Sequence, residues 1–303
     1  MGILFSICLL AATVSAQSMQ VQAGRLDTLR FTSSYIGERT VGVWMPAQAK
    51  KGDSLAVLYM QDGQMLFDAR VSWNKQEWRV DEHLDSLIGI GAIPPVMVVA
   101  IWNGGPDRHR DYFPQKPLLT LPEKEREEVM KATRPDLQPL FNGPVRSDAY
   151  LVFVDRELIP FIESRYPAKK ETKDRFIIGS SMGGLISLYA LCEYPQIFGG
   201  AACLSTHWPG IFTFDASNPF PEAMQQYFIQ VLPKLSGRRL YFDYGTATLD
   251  EVYDPHQQRI NQALEQHAPG DLIWKCEKFP GEPHSEEAWS RRFQGVVSYL
   301  VSK

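Results

Sequence analysis

Apolar residues come in short unbroken blocks along this chain: LAVLYM at 55–60, VMVVAIW at 96–102, RFIIG at 175–179 and GGAACLS at 199–205. Runs this short and continuous suit strands covered on both faces, as in a parallel sheet between two layers of helix. RTVGVWMP at 39–46 alternates instead and is expected near a sheet edge, while RRLYFDYG (238–245) and LIWKCEKFPG (272–281) supply two later strands. Elsewhere the spacing turns helical, in EWRVDEHLDSLI, AYLVFVDRELIPFIESRY, GLISLYALCEYP, DPHQQRINQALEQH and the terminal SEEAWSRRFQGVVSYLVS. Strand and helix alternate from about residue 55 onward. The pattern predicts an α/β fold with one mostly parallel central sheet, helices on both faces, and one domain.

Two stretches depart from that rhythm. Residues 115–149 are proline-rich and carry no strand pattern, and so long a connection in a compact domain reads as an insertion, either over the functional site or a plain surface excursion. At the other extreme, ILFSICLLAATV is an apolar run closed by VSA before Gln17. It is too short to cross a bilayer comfortably and ends in a small-x-small pattern, as a secretory signal peptide does, although its first residues carry no Lys or Arg. The expectation is a signal peptide at 1–16, a mature chain at 17–303 with no membrane span, and a secreted or periplasmic location.

Composition narrows the classes further. With 44% hydrophobic and 22% charged residues the chain has ample material for a core, and a net charge of -4 without a basic block gives no footprint for nucleic acid. Removal of the first segment would leave Cys192, Cys203 and Cys276, widely spaced and without CxxC pairs. They are expected to be buried thiols rather than a metal site or a disulfide framework. No HExxH, EF-hand or His/Cys cluster is present, so neither a metal nor a cofactor is expected. Oligomeric state is not readable.

The chemistry is concentrated in IIGSSMGGL, 177–185. A serine hydroxyl becomes a useful nucleophile when a sharp strand-to-helix turn exposes it beside a base, and such a turn crowds the positions two before and two after it. Ser181 has Gly179 and Gly183 in those places; Ser180 would have Ile178 and Met182, both too bulky. The apolar run at 175–179 enters the turn and a helix starting near Met182 leaves it, its positive end aimed at the hydroxyl. The nucleophile elbow is therefore placed at 179–183, with Ser181 as the nucleophile.

In the chain order that accompanies this turn, an acid and then a histidine should follow. His284, in FPGEPHSEEAW, directly follows the last strand and precedes the terminal helix, where a base could reach the turn. The acid belongs in the loop after RRLYFDYG: Asp250 is preferred, with Asp254, Glu251 and Asp243 left open. Oxyanion donors are expected from the amide of Met182 and from that of Gln64 in the QDGQMLF loop after LAVLYM. Trp102, with Asn103 beside it, and Trp208 follow strands at the carboxyl end of the sheet, where ligands of open α/β sheets bind. They are substrate-contact candidates against a packing role. Arg110 is read as bracing its own turn.

Taken together, AVLYMQDGQMLFD, VVAIWNGG…RHRDYFP, FIIGSSMGGLISLYALCEYPQIFGGAACLS, YFDYGTATLD and PHSEEAW resemble the esterase family of α/β-hydrolases that holds feruloyl and acetylxylan esterases, enterochelin esterases and mycolyltransferases. The likeness runs from about residue 30 to the C-terminus in the expected order. It implies an α/β-hydrolase fold, Ser181, Asp250 and His284 as the triad, and Gln64 and Met182 at the oxyanion hole. It further implies an ester substrate, such as an acetyl or feruloyl group on carbohydrate or a siderophore lactone. Acyl transfer and a non-catalytic binding module on the same fold are the alternatives. The spacing from Gly245 to Asp250 exceeds the short G-T-x-D form of some members, which keeps Asp254 open, and nothing transfers onto 115–149.

Overall fold

The computed structural model describes residues 19–302, so the expected signal segment at 1–16 lies outside the described residues. Eight strands form one sheet: β1 (Arg25–Ser33), β2 (Gly37–Met45), β3 (Ala56–Met60), β4 (Val96–Ile101), β5 (Arg175–Ser180), β6 (Gly200–Leu204), β7 (Arg239–Ala247) and β8 (Ile273–Pro283). Their order is β1-β2-β4-β3-β5-β6-β7-β8; β1 and β2 run antiparallel to their neighbours, and the strands from β4 to β8 are mutually parallel. Every residue of β3, β4, β5 and β6 is buried, which is why these segments read as unbroken apolar blocks.

The helices are α1 (Val80–Gly89), α2 (Arg108–Tyr112), α3 (Gln115–Thr120), α4 (Glu123–Met130), α5 (Ser147–Phe153), α6 (Ile159–Arg165), α7 (Met182–Glu193), α8 (Phe220–Val231), α9 (Asp254–His267) and α10 (Glu286–Val301). A π-helical turn at Val154–Leu158 joins α5 to α6. The two faces of the sheet carry separate cores. One holds Tyr59, Val99, Ile177 and the buried α7, and the other packs Leu58, Val98 and Ile178 against α1 and α10 through Leu84, Trp289, Phe293 and Val297.

β2 lies next to the edge of the sheet, as its alternation predicts, and β1 pairs outside it over its whole length. β1 alternates between exposed and half-buried positions and has no apolar block to announce it. Residues 115–149 hold no strand, as expected, but they are not structureless: α3 and α4 occupy the first half of the segment, and Leu118 and Val129 anchor it to the core. Cys192 and Cys203 are buried free thiols, and Cys276 is a half-buried one.

The strand order sets the place of the site. The chain leaves β3 outward to β4 and returns across β3 to β5, so a crevice opens at the carboxyl ends of β3 and β5, where the loops after them face each other. The Gln61 amide, just past β3, donates to the Ile178 carbonyl of β5 at 2.9 Å. By contrast, a cleft of about 840 Å³ lined by Leu55, Pro95, Phe176 and Arg239 lies at the amino ends of these strands, away from that crevice.

Candidate active site

Ser181 sits between the last residue of β5 and the first of α7 with φ 55 and ψ -124, a conformation that L-residues rarely adopt. The glycines around it are there for room. A Cβ on Gly179 would lie 2.3 Å from the Gly183 carbonyl oxygen, and one on Gly184 would lie 3.1 Å from Thr206 Oγ1. The turn is held from both sides: the Ser181 amide donates to the Leu204 carbonyl at 2.9 Å, and the Ser181 carbonyl accepts from the His207 amide at 3.1 Å. Ser180, by contrast, is the buried last residue of β5, paired with Leu204 in register.

His284 and Asp250 meet. His284 Nδ1 and Asp250 Oδ1 are 2.5 Å apart, with Asp250 fully buried and the imidazole nearly so. Asp250 lies in the single turn Thr248–Val252 after β7, and Thr248 Oγ1 accepts from the His284 amide at 2.8 Å, tying the two loops together. The Asp250 carboxylate also accepts from Ser205 Oγ at 2.6 Å and from the Gly245 amide at 2.5 Å. Burial opposes its charge, but the hydrogen bond and charge of His284, with those of Ser205 and Gly245, outweigh it and hold the carboxyl below the ordinary carboxylate range. The His284 ring stands edge-on to Trp289, centroids 4.9 Å apart at 85°.

The other acids are elsewhere engaged. Asp254 caps a different corner, accepting from Tyr244 Oη at 2.6 Å and Lys278 Nζ at 2.8 Å. Asp243 is buried in β7 with Arg292 Nη2 at 3.5 Å, and Glu251 is exposed. Asp250 is thus the acid that the fold brings to His284.

Two loops meet at the elbow. Met182 is the first residue of α7, so its amide has no partner within the helix. Gln64 lies in the single turn Gly63–Met65, which follows Asp62 at φ 53 and ψ 46. Asp62 Oδ2 would be 3.0 Å from a Cβ on Gly183, which brings this loop against the elbow. Asp62 is itself fixed by Arg108 Nε at 2.7 Å, Arg108 Nη2 at 2.8 Å and Asn103 Nδ2 at 2.6 Å.

The substrate-contact candidates part company. Asn103 touches both Asp62 and Gln64, its amide donating to Gln64 Oε1 at 3.3 Å, so it shapes the loop that carries Gln64. Trp102 underlies the same loop: a Cβ on Gly63 would come within 2.8 Å of its ring. Trp208 is a correction. Only 2% exposed, it packs on Phe242 and donates to Gln257 Oε1 at 3.1 Å, because the chain turns inward after β6. Arg110 braces its own corner through the Asn142 and Pro144 carbonyls, both at 3.0 Å.

One neighbour of the serine had no signal in the sequence. Tyr253 is fully buried; its hydroxyl is 2.7 Å from His207 Nδ1, and its ring centroid is 5.7 Å from that of His284. Burial and the nearby Asp250 charge push its phenol well above the ordinary range, opposed by a hydrogen bond with the Ser181 side chain. Tyr253 therefore spans the gap between the elbow and the Asp250–His284 pair.

Residues 32–297 match the family described as "Putative esterase". Among curated proteins, the uncharacterized protein YbbA of Bacillus subtilis is 25% identical over 174 residues, 57% of this chain and 58% of that one, so the chain spans under two thirds of that relative's length. The BES protein from Bacillus cereus superposes with a TM-score of 0.70 at 16% identity, covering 95% of this chain and 100% of that one. A ferulic acid esterase does so with a TM-score of 0.62 at 16% identity, covering 91% and 98%. At such identities the likeness carries the fold.

Proposed function

Because the chain belongs to the Putative esterase family, we propose that it hydrolyses carboxylic esters through an acyl-enzyme on Ser181. One observation carries this reading: a buried carboxylate holds an imidazole at 2.5 Å, and a serine kept in a strained turn shares the neighbour Tyr253 with that imidazole. In the reaction, His284 Nε2 takes the Ser181 proton as Oγ attacks the ester carbonyl carbon. Asp250 keeps the Nδ1 proton in place and stabilises the imidazolium. The carbonyl oxygen, now an oxyanion, accepts from the Met182 and Gln64 amides; losing one such donor typically costs about 10²–10³ in rate. The imidazolium returns its proton to the departing alcohol. Water then attacks the acyl-enzyme by the same route in reverse and frees the acid.

We assign an acyl group on carbohydrate, acetyl or feruloyl, as the substrate class; a siderophore lactone is the rival. The fold is shared by a ferulic acid esterase and by an enterobactin esterase alike, so the choice between the two substrates falls to direct assay. Acyl transfer differs only in the acceptor, an alcohol in place of water. The test is a panel of acetyl and feruloyl sugar esters and a catecholate trilactone, each run with and without a competing alcohol. The expected result is hydrolysis of a sugar ester that ignores the alcohol and vanishes in Ser181→Ala. Preference for the trilactone, or ester products in the presence of alcohol, would replace the substrate or the acceptor. Turnover that survives Ser181→Ala would remove the mechanism.

A further inference from the structure

Ser205, the residue that follows β6, took no part in the sequence reading, yet four groups meet on it. It is fully buried, sits at φ 42, and its amide donates to the Asp243 carbonyl at 2.7 Å. A non-glycine residue held in the left-handed region persists where its surroundings over-determine it. Its hydroxyl has three neighbours at hydrogen-bonding distance: Trp289 Nε1 at 2.9 Å, Arg292 Nη2 at 3.2 Å and Asp250 Oδ2 at 2.6 Å.

The assignment of those bonds is forced. A hydroxyl has one proton and two acceptor sites, whereas an indole N–H and a guanidinium N–H can only donate. Trp289 and Arg292 take both acceptor sites, so the single proton is committed to Asp250. Oδ2 then carries the Ser205 and Gly245 donors, and Oδ1 is left facing His284 Nδ1. An imidazole whose Nδ1 donates to that oxygen has a bare Nε2. We infer that Ser205 is a positioning residue: it orients the Asp250 carboxylate and thereby fixes the His284 tautomer that accepts a proton at Nε2. The inference rests on Ser181, His284 and Asp250 acting as the catalytic set.

Trp289 ties the two ends of this arrangement together, since the ring that donates to Ser205 also packs edge-on against His284. The charged and titratable groups around the pair are Asp250 and Tyr253 from the turn after β7, Glu286 and Arg292 from α10, Asp243 from β7, and His207. Removing the Ser205 proton leaves the Asp250 charge less satisfied and so better able to stabilise the imidazolium. The acid limb of the kcat/KM profile should then move to higher pH. A purely structural loss would instead lower the amount of active enzyme equally at every pH.

The experiment compares wild type, Ser205→Ala and Ser205→Cys by pH-rate profile and by the low-field proton resonance of His284 Nδ1–H. For Ser205→Ala the expected result is a fall in kcat of roughly 10- to 100-fold with KM little changed, since a hydrogen bond to a charged group is lost. The acid limb and the midpoint of the resonance's titration should both move up in pH. Ser205→Cys, a weak donor of similar size, should move both the same way by less, and it carries the test if the alanine variant does not fold. Profiles and titrations that superimpose on wild type in the folded variant would overturn the inference. Failure of the underlying reading looks different: wild type would lack the low-field resonance, or Ser181→Ala would stay active.

Discussion

Two buried carboxylates flank the end of β7, and the protein treats them in opposite ways. Asp250, in the turn, accepts three hydrogen bonds, from His284, Ser205 and Gly245, and its carboxyl is held below the ordinary range. Asp243, in the strand, has no hydrogen bond of good geometry at either oxygen; Arg292 stands off at 3.5 Å. Burial dominates there and, with the Asp250 charge adding to it against the pull of Arg292, lifts Asp243 to about 7. Both side chains are fully inaccessible. Burial alone therefore does not decide the charge; the number of donors aimed at the carboxylate does. That contrast is what equips Asp250, and not Asp243, to serve a histidine.

The sharpest way to break the comparison is to exchange the carboxylates for amides. Asp250→Asn cannot both accept from His284 Nδ1–H and keep its other donors, and the wrong tautomer follows. The loss expected in kcat/KM is on the order of 10⁴. Asp254→Asn, four residues along at the start of α9, should stay within a fewfold of wild type, because Asp254 serves Tyr244 and Lys278 instead. Steady-state kinetics on the two variants checks this, and a larger loss at Asp254 would transfer the acid's role.

A smaller effect sharpens the other half. Folded Asp243 keeps its proton to about 7, whereas an unfolded aspartate releases it near pH 4. Between those values the folded state binds more protons, so raising the pH destabilises it. Thermal unfolding from about pH 4 to about pH 7 should therefore show wild type losing stability relative to Asp243→Asn, by an amount on the order of several degrees. A difference between the two that is flat across this window would mean that Asp243 is ionised throughout.

The contrast also explains what could be read from the chain. β3 to β6 announce themselves because strands covered on both faces must be apolar throughout, and the steric demands of the elbow single out Ser181 over Ser180. Asp250 and His284 follow from chain order at the carboxyl ends of strands. What stayed hidden depends on which side chains meet in three dimensions. RLDTLRFTS alternates weakly and borrows its strand identity from pairing with β2. The helix FPEAMQQYFIQV, between β6 and β7, is the exception: its apolar positions Phe220, Ala223, Met224, Tyr227, Phe228 and Val231 do fall at helical spacing. Ser205 and Tyr253 carry no local signature, since a serine after a strand and a tyrosine before a helix are ordinary. For Trp208 the position after β6 left substrate contact and packing both open, and its contacts with Phe242 and Gln257 give it the packing role.

The central claim is that one hydroxyl, that of Ser181, is the reactive group. Labelling the folded protein with a fluorophosphonate probe and mapping the adduct by peptide mass spectrometry tests it most directly. The account predicts a single adduct on Ser181, lost in Ser181→Ala and retained in Ser180→Ala. An adduct on Ser180, or a folded protein that the probe leaves unlabelled, would contradict it.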